Sequence, residues 1–338
     1  MNQEFNNWAD SLRGQKPLAD VIADAKTGGA ARAAKPAATV RTLKQLPTMH
    51  VGRAARYGNI TWFPIFTDAP VVERDYVTEA FGKVAVVEGD VPSVATLNIK
   101  NDCDKPVLLL EGTLLEGGWQ HRALTRTVVI NAGETTALPV VCVEAGRWGG
   151  ASHQVIGKKV ASAGIRAGLR GLRKEGQFVV QSFADQSDVW NKVERLAQES
   201  NTHKPSQSFV EMRNDLDVRM QLDPIVALAG QRGVVIAIGG HPVALELFDH
   251  PDTLAERLES IVQGYIAESM LRDFVATPSS RVRTFVDRTE RQELSEEVDA
   301  NRKRTTSNAH VASEALFESD ALLHLSTLNV KHELVLAA

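Results

Sequence analysis

VATLNIKNDCDKPVLLLEGTLLEGGWQHRALTRTVVINAGETTALPVVCV, residues 94–143, sets short runs of Val, Leu, Ile and Thr between clusters of Gly, Asn, Asp and Pro. Runs of this length, rich in β-branched side chains and bounded by turn residues, predict strands. The same texture extends outward in GNITWFPIF (58–66) and GKVAVVEGD (82–90), so residues 47–148 read as a β-rich region with an antiparallel sheet or sandwich-like core. NDCDKP and NAGE supply turn chemistry, and each is expected to close a hairpin between its flanking runs. RDYVTEAF (74–81) looks like a helical interruption.

Downstream, residues 149–231 are expected to be mostly helical. DQSDVWNKVERLAQES (185–200) places apolar side chains at Val189, Trp190, Val193, Leu196 and Ala197, an amphipathic spacing. KKVASAGIRAGLRGLRKEG (158–176) carries basic residues at 158, 159, 166, 170, 173 and 174; a solvated helix face is the plain reading and an anion site the alternative. In residues 232–330, GVVIAIGGHPVALELFD predicts a tight hairpin about Gly239 and Gly240. A helix follows, with Asp249 or Asp252 as its N-cap, then a charged, partly helical segment over 281–304 and a terminal strand pair in HVASEALFESDALLHLSTLNV (310–330). Residues 331–338 read as a tail. The fold class is therefore α+β: an antiparallel core with helices following it.

The start of the chain has a different texture. Residues 1–25 space Phe5, Trp8, Leu12, Leu18, Val21 and Ile22 as a short helical arm, and the Gly- and Ala-rich residues 26–46 read as a flexible linker. Such an arm, residues 3–25, would serve self-association or a protein partner.

Charge and composition exclude several classes. With 38 basic against 42 acidic side chains there is no field to gather nucleic acid or an anionic membrane. No apolar run reaches the length of a membrane span, no secretory leader is evident, and two cysteines are too few for a disulfide framework, so a soluble cytoplasmic protein is expected. The nine histidines show no ligand spacing, and no metal site is expected, though carboxylate-held Mg²⁺ stays open. Phosphate-loop, dinucleotide and nucleophile-elbow motifs are missing, and no cofactor is specified.

Chemistry concentrates in EGTLLEGGWQHR (111–122) and CVEAGRW (142–148). Glu111 ends an apolar run, where a carboxylate needs water or a cation, and Arg122 and Arg147 are the nearest cations in sequence. An arginine fork fits a carboxylate or a phosphate equally, so the pair reads either as an internal salt bridge or as an anion clamp. Gly117 and Gly118 permit positive φ or close backbone approach before Trp119 and Gln120. Glu111 and Glu144 are the candidate acid and base, and Gln120, Arg122, Arg147 and Trp148 the candidate ligand contacts. Cys142 would need a neighbouring histidine or helix N-terminus to act as a nucleophile; a small buried hydrophobe is the plainer reading.

VGRAARYGNITWFPIF (51–66), the run from NDCDKP through CVEAGRW, QSDVWNKV, GGHPVALELFD and ALLHLSTLN together resemble the ARG and rhodanese-phosphatase-superfamily-associated protein domain, over about residues 47–329. That family is named for association with ADP-ribosylglycohydrolases and rhodanese-like phosphatases. The resemblance implies a role in ADP-ribose- or NAD-linked processing, with Glu111, Gln120, Arg122, Cys142, Glu144, Arg147 and Trp148 on the family motif. Thr113 and His121 stand where family members often carry an acid and an asparagine. Two functions follow: handling of a phosphate-bearing nucleotide such as ADP-ribose or NAD, or a non-catalytic interaction or assembly module in which the motif is a structural polar network.

Overall fold

The computed structural model describes residues 46–78, 82–89, 93–147, 149–151, 153–172, 186–219, 223–294, 303–318 and 321–336. The arm at 1–25, almost all of the linker, Trp148, Arg173, Lys174 and Asp185 lie outside the described residues. The described strands pair antiparallel, apart from one isolated parallel bridge, and the chain is α+β as expected.

Three strands open the chain: β1 (Met49–Val51), β2 (Ala55–Tyr57) and β3 (Ile60–Thr67). Eight follow: β4 (Val84–Val87), β5 (Thr96–Asn101), β6 (Val107–Leu109), β7 (Thr113–Gly117), β8 (Arg122–Leu124), β9 (Val128–Ile130), β10 (Thr135–Cys142) and β11 (His153–Val160). Six of these close a barrel in the order β10-β5-β4-β11-β7-β8, and β6 pairs with β9 in a separate ribbon. Helices α1 (Ala163–Leu169), α2 (Gln186–Ser200) and α3 (Phe209–Arg219) come next. Strands β12 (Gly233–Ile238) and β13 (His241–Phe248) precede α4 (Pro251–Gly264), α5 (Ile266–Ser269) and α6 (Ser279–Glu290). The chain then runs through β14 (Lys303–Ser307), β15 (Val311–Glu318), β16 (Ala321–Asn329) and α7 (Glu333–Leu336).

The second sheet runs β1-β3-β12-β13-β16-β15-β14, with β2 also on β3. Because β3 pairs directly with β12, Ile65 opposite Gly233, the whole barrel and α1 to α3 are inserted between two neighbouring strands of one sheet. That pairing spans well over a hundred residues of sequence, which local pattern does not encode. One face of the sheet packs Ile236, Phe248 and Leu328 with Leu254 and Leu258 of α4; the other packs Phe63, Leu245 and Leu325 with Val282 and Phe285 of α6. The β6–β9 ribbon joins the two bodies by alternation: Val107 and Leu109 enter the barrel core, while Leu108 and Leu110 enter the sheet core.

Several local expectations hold. β12 and β13 form the hairpin about Gly239 and Gly240, whose φ values of 59° and 81° suit a mirror-image turn that glycine adopts without strain. β15 pairs with β16, residues 281–290 of the charged segment lie in the helix α6, and α2 buries Val189, Val193 and Leu196.

Others do not. NDCDKP and NAGE do not close hairpins: β5 pairs with β4 and β10, and β6 with β9. The two connections instead meet at buried Asn101, whose amide donates to the Lys105, Ile130 and Asn131 carbonyls at 2.9–3.1 Å. Saturating three carbonyls from one side chain fixes both turns against each other and sends each run to a distant partner. Residues 74–78 are not helical, for Val77 bridges Val107 in parallel. The region 149–231 opens with a strand, β11, which pairs β4 to β7 and closes the barrel. Its alternation was masked by the basic residues on its outer face. The N-cap of α4 is His250, whose Nδ1 accepts from the Asp252 amide; Asp249 is buried and accepts from the Tyr76 hydroxyl. Residues 333–336 of the supposed tail form α7, with Leu334 and Val335 in the core.

Candidate functional site

One end of the barrel gathers the C-terminal ends of β4, β7 and β10 and the N-terminal ends of β5, β8 and β11, because neighbouring barrel strands run antiparallel. GGWQ connects β7 to β8 and VEAGRW follows β10, so the two motif segments are loops at the same end of the barrel. The glycines are explained by geometry. Gly117 and Gly118 have φ of 93° and 61°, and a Cβ on Gly118 would lie 2.4 Å from the Gln154 side chain.

The two loops are clamped together. Arg147 Nε donates to Glu144 Oε1 at 2.9 Å and Nη2 to Oε2 at 2.7 Å, a bidentate pair. Nη1 reaches the Gly118 and Gly149 carbonyls at 2.7 and 3.1 Å, and Nη2 the Gly117 carbonyl at 3.4 Å, so the five N–H donors all have partners in the chain. Buried Glu144 also accepts from the His121 amide at 2.9 Å, and its carbonyl accepts from Gln120 Nε2 at 2.9 Å. His121 Nδ1 accepts from the Gly117 amide; burial pushes its pKa down and Glu144 only partly offsets this, so the ring is neutral. An asparagine there could make the same bond through its amide oxygen. Thr113, at the other departure from the family pattern, is a buried residue of β7.

Inside this clamp the barrel carries a polar layer. Strand alternation puts Arg122 on the face of Leu124, Cys142 on that of Val140, and Gln154 on that of Ile156, all members or neighbours of the barrel core. Glu88 follows Val86 by two residues and meets the same layer. Arg122 is fully buried; its Nη1 donates to Gln120 Oε1 at 3.1 Å, and its Nη2 lies 3.8 Å from Glu88 Oε1. Cys142 Sγ donates to Gln120 Oε1 at 2.9 Å, and Gln154 Nε2 to the Gln120 carbonyl at 3.2 Å. Burial pushes the Cys142 thiol up to about 12, against the pull of Arg122, so it is a neutral donor and not an activated nucleophile. Among the described residues, neither carboxylate oxygen of Glu88, nor Gln154 Oε1, has a hydrogen-bond partner. Burial raises the Glu88 pKa and Arg122 lowers it by less.

Glu111 belongs elsewhere. Its cations are not Arg122 and Arg147 but Arg166 on α1 and Arg170 at its C-cap, so the basic run read as a solvated face supplies two buried guanidiniums here. Arg170 Nε lies 2.9 Å from Glu111 Oε1, and its Nη2 contacts Oε2 more closely still. Arg166 also donates to Glu246 at 2.6 Å, to Ser326 Oγ at 2.6 Å and to the Tyr265 hydroxyl at 3.1 Å; His324 Nε2 lies 2.9 Å from Glu246 Oε2. This network ties the second residue after β6 to β13 and β16 of the large sheet, and a cavity of about 10 Å³ beside it has room for about one water.

Of the sequence-selected residues, Gln120, Arg122, Cys142, Glu144 and Arg147 thus meet at the barrel mouth. Among the described residues, Glu111 and Glu144 lie in different hydrogen-bond networks. Glu88 and Gln154 were missed; strand parity was the signal that could have found them. Among the described residues, no three His, Cys, Asp or Glu side chains are grouped as a metal would require, and no helix is long and apolar enough to cross a membrane. Searches of curated proteins and of solved structures return no match. Residues 48–328 match the ARG and Rhodanese-Phosphatase-superfamily-associated Protein domain. The match spans the inserted barrel and most of the sheet that holds it, and the chain belongs to that family.

Proposed function

We propose that this protein binds a phosphate-bearing nucleotide of the ADP-ribose or NAD type at the barrel mouth. The observation that carries the reading is the buried polar layer, in which Glu88 and Gln154 hold acceptors without partners among the described residues, beside the Arg122 guanidinium. Buried polar groups are normally paired, and their incomplete pairing at the mouth of a barrel favours a ligand that completes them. The family's association with ADP-ribosylglycohydrolases supports the nucleotide class. In this reading Arg122 and Gln120 face the ligand, while Arg147 and Glu144 hold the loops that shape the mouth. Glu111 takes no part, since both its oxygens are consumed by Arg166 and Arg170. Calorimetry with ADP-ribose and with NAD should show heat at concentrations adequate for millimolar affinity, with binding lost in Arg122→Ala. Absence of heat with both nucleotides, or unchanged affinity in the variant, would overturn it.

The saturated bonding of Glu144 and Arg147 favours a second reading, an interaction or assembly module whose motif is structural. Residues 3–25 would then carry self-association or a protein partner, and deleting them should change the mass in light scattering. An unchanged mass rejects that role for the segment.

A further inference from the structure

A phosphate-bearing ligand at the barrel mouth meets a side chain of its own sign, Glu88. We infer that such a ligand binds together with a proton carried by Glu88, so that pH regulates occupancy of the mouth. This rests on the nucleotide-binding reading above and assigns its regulation.

Glu88 lies just past β4 with its side chain 4% exposed. Among the described residues, neither of its oxygens accepts a hydrogen bond, and the Arg122 guanidinium comes only to 3.8 Å of Oε1. A buried carboxylate keeps its charge at low cost only where hydrogen bonds hold it. Glu144, in the same mouth, accepts two from Arg147 and one from the His121 amide. Glu88 has no such hold, and burial raises its pKa by more than Arg122 lowers it.

Among the described residues, the charged and titratable groups turned toward Glu88 are the Arg122 guanidinium from β8 and the Cys142 thiol from β10. β11 contributes the neutral amide of Gln154, the β7–β8 loop that of Gln120, and β5 and β7 the apolar Leu97, Ile99 and Leu115. Arginine stays charged, and burial pushes the thiol up to about 12, so neither changes charge near neutrality. Glu88 is the group in this layer placed to do so.

An ionised phosphate offers acceptors. Ionised Glu88 repels it and has no hydrogen to give, whereas protonated Glu88 donates an O–H to a phosphate oxygen and the repulsion is gone. Both effects depend on the charge of Glu88 alone, whatever else Arg122 contacts. A bound phosphate therefore raises the Glu88 pKa further. By linkage, affinity falls as pH rises above the Glu88 value of the free protein, by up to about tenfold per pH unit for one proton.

NAD and ADP-ribose suit the test because neither carries a phosphate monoester, whose second ionisation at about pH 6 would titrate in the same range. Each is titrated into the full chain by calorimetry from about pH 5 to about pH 8, in two buffers of different ionisation enthalpy. Affinity should fall with rising pH, with uptake of up to one proton on binding. Glu88→Gln removes the charge at constant size; its affinity should be independent of pH and at least equal to that of the wild type at the acid end, with no proton taken up. Glu88→Met, which also lacks the charge, takes its place in the pH series should Glu88→Gln fail to fold. Nucleotide binding whose affinity is flat or rises with pH overturns the inference and leaves nucleotide binding standing, as does a pH dependence that persists in the variant. No binding of either nucleotide at any pH overturns both proposals.

Discussion

The arginine–carboxylate cluster between barrel and sheet and the one at the barrel mouth differ in how completely their carboxylates are paired. At the junction of barrel and sheet, each oxygen of Glu111 and Glu246 meets a guanidinium, a hydroxyl or an imidazole. At the barrel mouth, Glu88 sits 3.8 Å from Arg122 and neither of its oxygens accepts a hydrogen bond from a described residue. A network whose carboxylate oxygens are all met returns the desolvation cost of its charges only as long as every member is present, and so it acts as a bolt. An unsaturated one leaves capacity that a ligand can use. Similar residue types therefore serve different ends, and what separates them is the count of partners.

Breaking the bolt should produce the largest effect. Arg170→Ala takes the bidentate partner from a fully buried carboxylate that Arg166 still contacts at 3.2 Å, and a loss of about 3 kcal/mol in urea unfolding is expected, a scale that can unfold a marginal domain. A loss below about 1 kcal/mol would show the junction network to be dispensable.

The same network sets an acid limit. Burial alone would raise the Glu246 pKa, but Arg166 and His324 outweigh it and hold it at about 2. A folded pKa below the unfolded value contributes stability that is present above the unfolded value near 4.5 and is lost as pH falls toward 2. The contribution is on the order of 3 kcal/mol, and Glu246→Gln should flatten the stability curve between those limits. Equal steepness in the two proteins would remove Glu246 as the cause.

Arg122→Ala probes the contrasting cluster. Burial already raises the Glu88 pKa, so an abandoned Glu88 can take up a proton instead of remaining a bare charge. The expected cost is about 1–3 kcal/mol, smaller than at Arg170, accompanied by loss of nucleotide heat. A cost matching Arg170→Ala would erase the distinction drawn here and favour the structural reading of the motif. The smallest effect belongs to Arg147→Lys, which keeps the charge and loses the fork. About 1 kcal/mol and faster amide exchange at His121, whose N–H is held by Glu144, are expected; unaltered exchange would mean the clamp does not hold the loops.

How much was readable depended on the range of the signal. The antiparallel, β-rich first half, the α2 helix and the Gly239–Gly240 and terminal hairpins were legible because their periodicity and turn chemistry act over a few residues. Gln120, Arg122, Glu144 and Arg147 stood out as a cluster because two loops of one barrel end, and the first residue of β8, carry them close together in sequence. The partners that give these residues their roles were not legible. Glu111 looked like a neighbour of Arg122, yet its cations arrive from α1, more than fifty residues away. Glu88 and Gln154 reach the mouth only because β4 and β11 pair inside the barrel.

Composition, patterning and motif order by themselves determined the α+β class, most of the local elements and the family. Only the tertiary structure decided that a barrel is inserted between β3 and β12, which acid meets which arginine, and which acceptors are left over. The physical reason is that hydrogen-bond saturation is a property of groups brought together in space, whereas side-chain periodicity is a property of neighbours along the chain.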